Sequence, residues 1–154
     1  MSSDFFARGG GWVLGQSVLM LLVLALGPLC PGRARPGGLT LLAGVCLVLG
    51  ALFGIGGAWV LGRNRTIFPR PNTGSRLVRH GVYRWVRHPL YTSLMLLSLG
   101  WAAWWASGPT LLAGGALAVF LDRKARREEA WLRATFPEYA DYARQVRRFV
   151  PGIY

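Results

Sequence analysis

Acidic side chains are scarce: six Asp and Glu stand against 18 Lys and Arg in 154 residues. Charge of either sign is missing altogether from residues 9–32, 36–62 and 88–121, the last run holding only His88 at its margin. Charged residues make up 16% of the chain, whereas a soluble domain carries about a quarter. The formal charge is nonetheless +12, with 53% of residues hydrophobic and 7 Trp. Apolar and cationic content are therefore segregated along the chain, which argues against an ordinary soluble globular domain.

Other absences close further classes. The two cysteines, Cys30 and Cys46, have no metal or redox spacing and read as packing residues. No Gly-x-Gly-x-x-Gly follows a strand pattern, and there is neither an internal repeat nor a low-complexity linker. Arginine-rich segments attract nucleic-acid phosphate, but here they flank hydrophobic runs, so anionic headgroups are the nearer partner; neither nucleic acid nor metal is expected. A signal peptide over residues 1–27, with Ala25-Leu26-Gly27 as the small-x-small site, fits poorly: the uncharged run is long and only Arg8 precedes it.

What is present is membrane-length hydrophobicity. About 20 helical residues cross a hydrocarbon core roughly 30 Å thick, so the first two runs are one span each, at about 11–30 and 38–61. The third run would reach about 50 Å as one helix, and it contains Ser107-Gly108-Pro109. Proline fixes its own dihedral and lacks a donor, so the tripeptide predicts a hairpin of two spans, about 88–106 and 109–122. The second arm is short, and with no proline in 110–136 it is expected to continue as helix beyond the membrane surface. The tail is read as helix over about 122–135, a break at Pro137, and a second helix over about 138–148. The glycines of the spans, among them Gly44, Gly50, Gly54, Gly56 and Gly57, signal close helix packing in lipid.

Basic residues choose the orientation. Seven arginines crowd the loop 62–87 with no acidic residue among them, and eight basic residues follow in the tail 123–154. With the hairpin, 16 of the 18 basic residues share a side and only Arg33 and Arg35 lie opposite. A single third span would instead split loop and tail between the two faces. The expectation is thus an all-α, polytopic integral membrane protein: one domain over 1–154, about four transmembrane helices, a cytoplasmic C-terminal helical extension, and both termini cytoplasmic. A bacterial inner membrane is the expected location. The stretch from Arg63 to Arg79, with Pro69, Pro71, Asn72, Gly74 and Ser75, is expected to be irregular or short-helical.

Two segments carry candidate chemistry. His80-Gly81-Val82-Tyr83-Arg84-Trp85-Val86-Arg87-His88-Pro89-Leu90-Tyr91 lies where the third span begins. Pro89 suits the first turn of a helix, which puts Arg87 and His88 at a helix N-terminus, whose free N–H groups favour an anion. Gly81 permits close backbone approach to a ligand. An aromatic and arginine belt accounts for Trp85, Tyr83 and the arginines, but not for the histidines or the Arg-His-Pro start. The second segment is Arg126-Arg127-Glu128-Glu129-Ala130-Trp131-Leu132-Arg133. The spacings Lys124 to Glu128 and Glu129 to Arg133 suit salt bridges on an exposed helix. Yet the hairpin brings these two glutamates toward His88.

Together, Gly81-x-Tyr83-x-x-Val86-Arg87-His88-Pro89-x-Tyr91, Glu128-Glu129-x-x-Leu132, and Phe136, Tyr139, Tyr142 with Arg148-Phe149-Val150-Pro151 resemble the isoprenylcysteine carboxyl methyltransferase and phospholipid methyltransferase superfamily, over roughly residues 50–154. The resemblance implies a cytosol-facing pocket for S-adenosylmethionine and a lipid-like acceptor entering from the bilayer. It implicates Gly81, Tyr83, His88, Pro89, Tyr91, Glu128 and Glu129 in cofactor binding. The arginines, Arg87 especially, are the candidates to hold a carboxylate acceptor, and His88 or a glutamate is the candidate base for an amine, phenol or thiol. Gly54-Ile55-Gly56 matches a Gly-x-Gly of the phospholipid enzymes but reads first as a packing face. The rivals are a nicotinamide-dependent membrane reductase and a non-catalytic lipid-binding protein.

Overall fold

The computed structural model describes residues 9–34, 36–62 and 76–154. Of the stretch from Arg63 to Arg79 expected to be irregular or short-helical, 76–79 is irregular, while 63–75 lies outside the described residues, as do the basic residues Arg8 and Arg35. The described part is all-helical, with α1 (Gly10–Leu29), α2 (Gly37–Leu61), α3 (Pro89–Trp105), α4 (Gly108–Thr135), α5 (Tyr139–Gln145) and a 3-10 turn over Gly81–Arg84. No strand forms among the described residues; one isolated parallel bridge joins Val86 and Arg147.

Two helices, α1 and α2, are long and apolar enough to cross a membrane. Both present their hydrophobic side chains outward: Leu21 is 65% exposed, Leu52 61% and Ile55 66%. A helix buried in a soluble core would hide such groups, whereas lipid accepts them and requires the backbone to bond within the helix.

The long third run does break. Ala106 adopts a left-handed conformation (φ 49°), and the Ser107 side chain caps α4 by accepting from the Thr110 N–H at 3.3 Å. The break falls one or two residues earlier than the tripeptide suggested, because Pro109 has no N–H to leave orphaned and belongs inside the first turn of α4. From there α4 runs unbroken for 28 residues, past the apolar part and into the arginine-rich tail.

α3 packs against α2, α4 and α1, and α1 also lies along α4. Small residues permit the α2–α3 approach. A Cβ on Gly50 would stand 2.8 Å from Leu97, and one on Gly54 would stand 2.7 Å from the Ser93 hydroxyl, which donates to the Gly50 carbonyl at 2.6 Å. Gly54 thus serves the packing face. Gly44, by contrast, meets nothing within 4 Å.

The expected second tail helix is shorter than its pattern implied. α5 stops at Gln145, and the chain at Val146 and Arg147 is extended because it pairs with the segment before α3. Arg87 N–H donates to the Arg147 carbonyl at 2.8 Å and His88 N–H to the Arg148 carbonyl at 3.1 Å. This pairing straps the tail over the N-terminus of α3.

Candidate active site

Three elements converge around His88. The 3-10 turn brings Tyr83, the first residues of α3 bring His88 and Tyr91, and α4, returning from the hairpin, brings Glu128 and Glu129. Gly81 makes the turn possible with φ +60°, and a Cβ there would meet Val60 of α2 at 2.6 Å. Pro89 begins α3 and is buried against Gly57.

A cavity of about 120 Å³ opens at this junction. Its wall includes Tyr83, Arg87, His88, Tyr91 and Glu128, with Leu132, Phe136, Tyr139 and Tyr142 from the far side. Of the residues singled out in the sequence, Gly81, Pro89 and Glu129 are not part of the lining. Gly81 and Pro89 shape the backbone that presents Tyr83 and His88. Glu129 lies behind the wall.

The two adjacent glutamates have different surroundings. Glu129 is fully buried. It accepts from Arg87 Nη2 at 2.9 Å, from Arg148 Nε at 3.0 Å and Nη2 at 3.1 Å, and from Arg133 Nη2 at 3.4 Å. His88 Nε2 lies 3.2 Å from the same carboxylate, and since a carboxylate only accepts, that nitrogen carries the proton. Burial alone would raise the Glu129 pKa. The hydrogen bonds from His88 and Arg148, with the charge of Arg87, more than offset it and hold the carboxyl well below the usual range. The Arg148 guanidinium is correspondingly pushed up. The expected Glu129–Arg133 pair is thus present, as the outermost spoke of a buried hub.

Glu128 is partly open, with its side chain 25% exposed. It accepts from the Tyr91 hydroxyl at 3.0 Å. Its other oxygen has no hydrogen-bond partner among the described residues, and the residue lines the cavity. Tyr91 stacks parallel on His88, ring centroids 5.3 Å apart.

Three features went unassigned in the sequence. The Tyr139 hydroxyl is buried in the cavity wall with no partner among the described residues, an arrangement that wastes a polar group unless a ligand meets it. Arg148 chelates Glu129 from the tail and also donates to Asp122 at 2.9 Å. Lys124, 3% exposed, donates to Gln16 of α1 at 2.7 Å, and its ammonium sits 5.4 Å over the Tyr91 ring. Only the scarcity of acids hinted at the hub: a buried carboxylate in so basic a chain draws several cations.

The phospholipid methyltransferase family model matches residues 39–139, from α2 through both arms of the hairpin to the start of α5. The chain belongs to that family. The phospholipid methyltransferases fall within the isoprenylcysteine carboxyl methyltransferase-like superfamily, in agreement with the motif resemblance. The matched region contains every candidate site residue, and α1 lies outside it. A curated relative, the cobalt-zinc-cadmium resistance protein CzcN of Cupriavidus metallidurans, is 37% identical over 78 residues, 50% of this chain. The match covers 36% of that relative's length. Among the described residues no group of three or more His, Cys, Asp and Glu side chains is placed to hold a metal ion.

Proposed function

We propose that this phospholipid methyltransferase family member uses S-adenosylmethionine to methylate a hydrophobic, lipid-like acceptor at the cytoplasmic face of the membrane. The carrying observation is the convergence on one cavity of Glu128, Tyr91, His88 and Tyr139, whose hydroxyl is unpartnered among the described residues. These groups fit the cofactor. A free carboxylate oxygen on Glu128 suits a ribose hydroxyl, the buried Tyr139 hydroxyl offers a donor to a carboxylate or a ring nitrogen, and the aromatic faces of Tyr83 and Tyr91 suit a sulfonium.

When bound, the cofactor supplies an electrophilic methyl group. The chain's residues orient the reactants and exclude water. Arg87 donates to Glu129 and to the carbonyls of Ala143 and Val146. With its donors so committed, Arg87 acts by fixing the tail over the cavity. Glu129 acts in the same way, holding His88 and Arg87, and so contributes to cofactor binding through them. Gly81 and Pro89 contribute through Tyr83 and His88. His88 keeps one ring nitrogen toward Glu128 at 3.7 Å, and this Nδ1 is the site for accepting a proton from an amine, phenol or thiol acceptor. A carboxylate acceptor needs no base.

The same reading has four spans in one domain of 154 residues, with α3 and the apolar half of α4 as the third and fourth. It puts both termini on the cytoplasmic side of a bacterial inner membrane, by the bias of basic residues.

Binding of S-adenosylhomocysteine to the purified, detergent-solubilised protein tests the proposal. Saturable binding is expected, weakened at least tenfold in Glu128→Ala. No binding, or binding of NADPH in its place, would sink it. Incubation with labelled cofactor and a total membrane extract then identifies the acceptor from the labelled product.

A further inference from the structure

A second recess, of about 690 Å³, opens where α3 and α4 meet the segment after α5. Its lining divides by chemistry. Met95, Ala118 and Val119, from the apolar parts of α3 and α4, form one end; Arg123 and Arg126, one turn further along α4, form the other. On the proposed four-span reading, the apolar end lies in the hydrocarbon and the basic end at headgroup level.

The basic end is prearranged. Arg126 Nε donates to Asp122 at 2.7 Å and Nη2 to the Tyr154 hydroxyl at 2.9 Å, which leaves Nη1 without a partner among the described residues. Arg123 is exposed and has no partner among them. Asp122 already accepts from Arg126, Arg148 and Tyr154, so its charge is taken up internally. The groove thus keeps two cationic groups and no open acceptor for an ammonium.

We propose that this groove binds one anionic phospholipid, with its phosphodiester between Arg123 and Arg126 and its acyl chains along Met95, Ala118 and Val119. Guanidinium groups match phosphate oxygens in geometry as well as charge. A zwitterionic headgroup would bring an ammonium to the arginines and find Asp122 engaged. The site is separate from the candidate active site: groove and cavity share no lining residue, and the rings of Phe149, on the groove, and His88, on the cavity, meet between them at 5.9 Å. The lipid held there is a bound companion and not the methyl acceptor.

The test uses the full-length protein reconstituted in nanodiscs of phosphatidylglycerol and phosphatidylcholine in equal parts, then exchanged into detergent, with retained lipid counted by native mass spectrometry. One phosphatidylglycerol per chain is expected in the wild type. Arg123→Gln with Arg126→Gln should weaken retention roughly fivefold per arginine, the size of one basic residue's attraction to an anionic lipid surface. Arg84→Gln with Arg127→Gln, which remove exposed charge elsewhere, should leave it unchanged. Val119→Trp, which fills the groove with the arginines intact, should also displace the lipid and covers the case in which the double variant misfolds. Equal retention of phosphatidylcholine, an unaltered count in both the double variant and Val119→Trp, or an equal loss in the Arg84/Arg127 control would overturn the proposal. S-adenosylhomocysteine binding, measured on the same samples, fails separately if the methyltransferase reading is wrong.

Discussion

Glu128 and Glu129 are neighbours of identical chemistry, yet one step along α4 turns them toward different surroundings. Glu129 has three guanidinium groups and a histidine around a desolvated carboxylate, so removing its charge strands buried cations. Glu129→Gln should destabilise the protein by about 3–5 kcal/mol, read as a lowered midpoint of thermal unfolding in detergent. The pH dependence has a definite sign. The folded carboxyl titrates below its ordinary value of 4.5, so its stabilisation is complete above that value and erodes as pH falls below it toward the folded pKa. Acid scans should show wild-type stability falling below about pH 4.5, with a shallower fall in Glu129→Gln. Tyr139 makes the opposite case. Its hydroxyl is buried without a partner among the described residues, so Tyr139→Phe removes an unsatisfied group and should unfold at the same temperature as the wild type or higher. If that hydroxyl meets the cofactor, the same variant binds S-adenosylhomocysteine several-fold more weakly, since a lost hydrogen bond is worth about 1 kcal/mol. Unchanged affinity would remove Tyr139 from the site.

Among the helices, α1 carries none of the motif residues and has an unexpected connection. It lies outside the matched family region, but Gln16 holds Lys124, and Lys124 sits over the ring of the tyrosine that donates to Glu128. Gln16→Leu removes one acceptor from a nearly fully buried ammonium, and a buried donor that loses a hydrogen bond shifts to recover it. The expected result is weaker S-adenosylhomocysteine binding, recovered in Gln16→Asn or Gln16→Glu, which restore an acceptor; wild-type affinity in Gln16→Leu would confine α1 to packing. Such a contact cannot be read from the chain, because Gln16 and Lys124 are over a hundred residues apart and neither belongs to a motif. The helices themselves could be read. Charge-free runs of known length, a serine before a glycine and proline, and a proline after Arg87-His88 each correspond to a local physical constraint. The extended stretch after α5 could not, since its conformation is set by backbone bonds to Arg87 and His88, made only once the hairpin has formed. The same reason hid the role of Arg148, whose partners Glu129 and Asp122 both lie on α4.

At the scale of the whole molecule, topology and site depend on each other. The hairpin of α3 and α4 returns the chain to the side from which α3 started, which brings Glu128 to His88 and, on the proposed four-span reading, unites loop and tail arginines. The native cysteines allow this to be tested with little change to the chain. Cys30 is exposed at the end of α1, beside Arg33, in the connection assigned to the outer side, while Cys46 is buried in α2. Ala134 is exposed near the end of α4, in the tail assigned to the cytoplasm. In intact cells a membrane-impermeant maleimide should label Cys30 and leave Cys46 untouched. In a Cys30→Ser, Ala134→Cys variant, labelling should require permeabilisation. If position 134 were labelled in intact cells while Cys30 was labelled as well, the run 88–121 would cross the membrane once and the hairpin would be wrong as a membrane element. If position 134 alone were labelled, the hairpin would stand with the opposite orientation, and the cavity would face away from the cytoplasmic pool of S-adenosylmethionine.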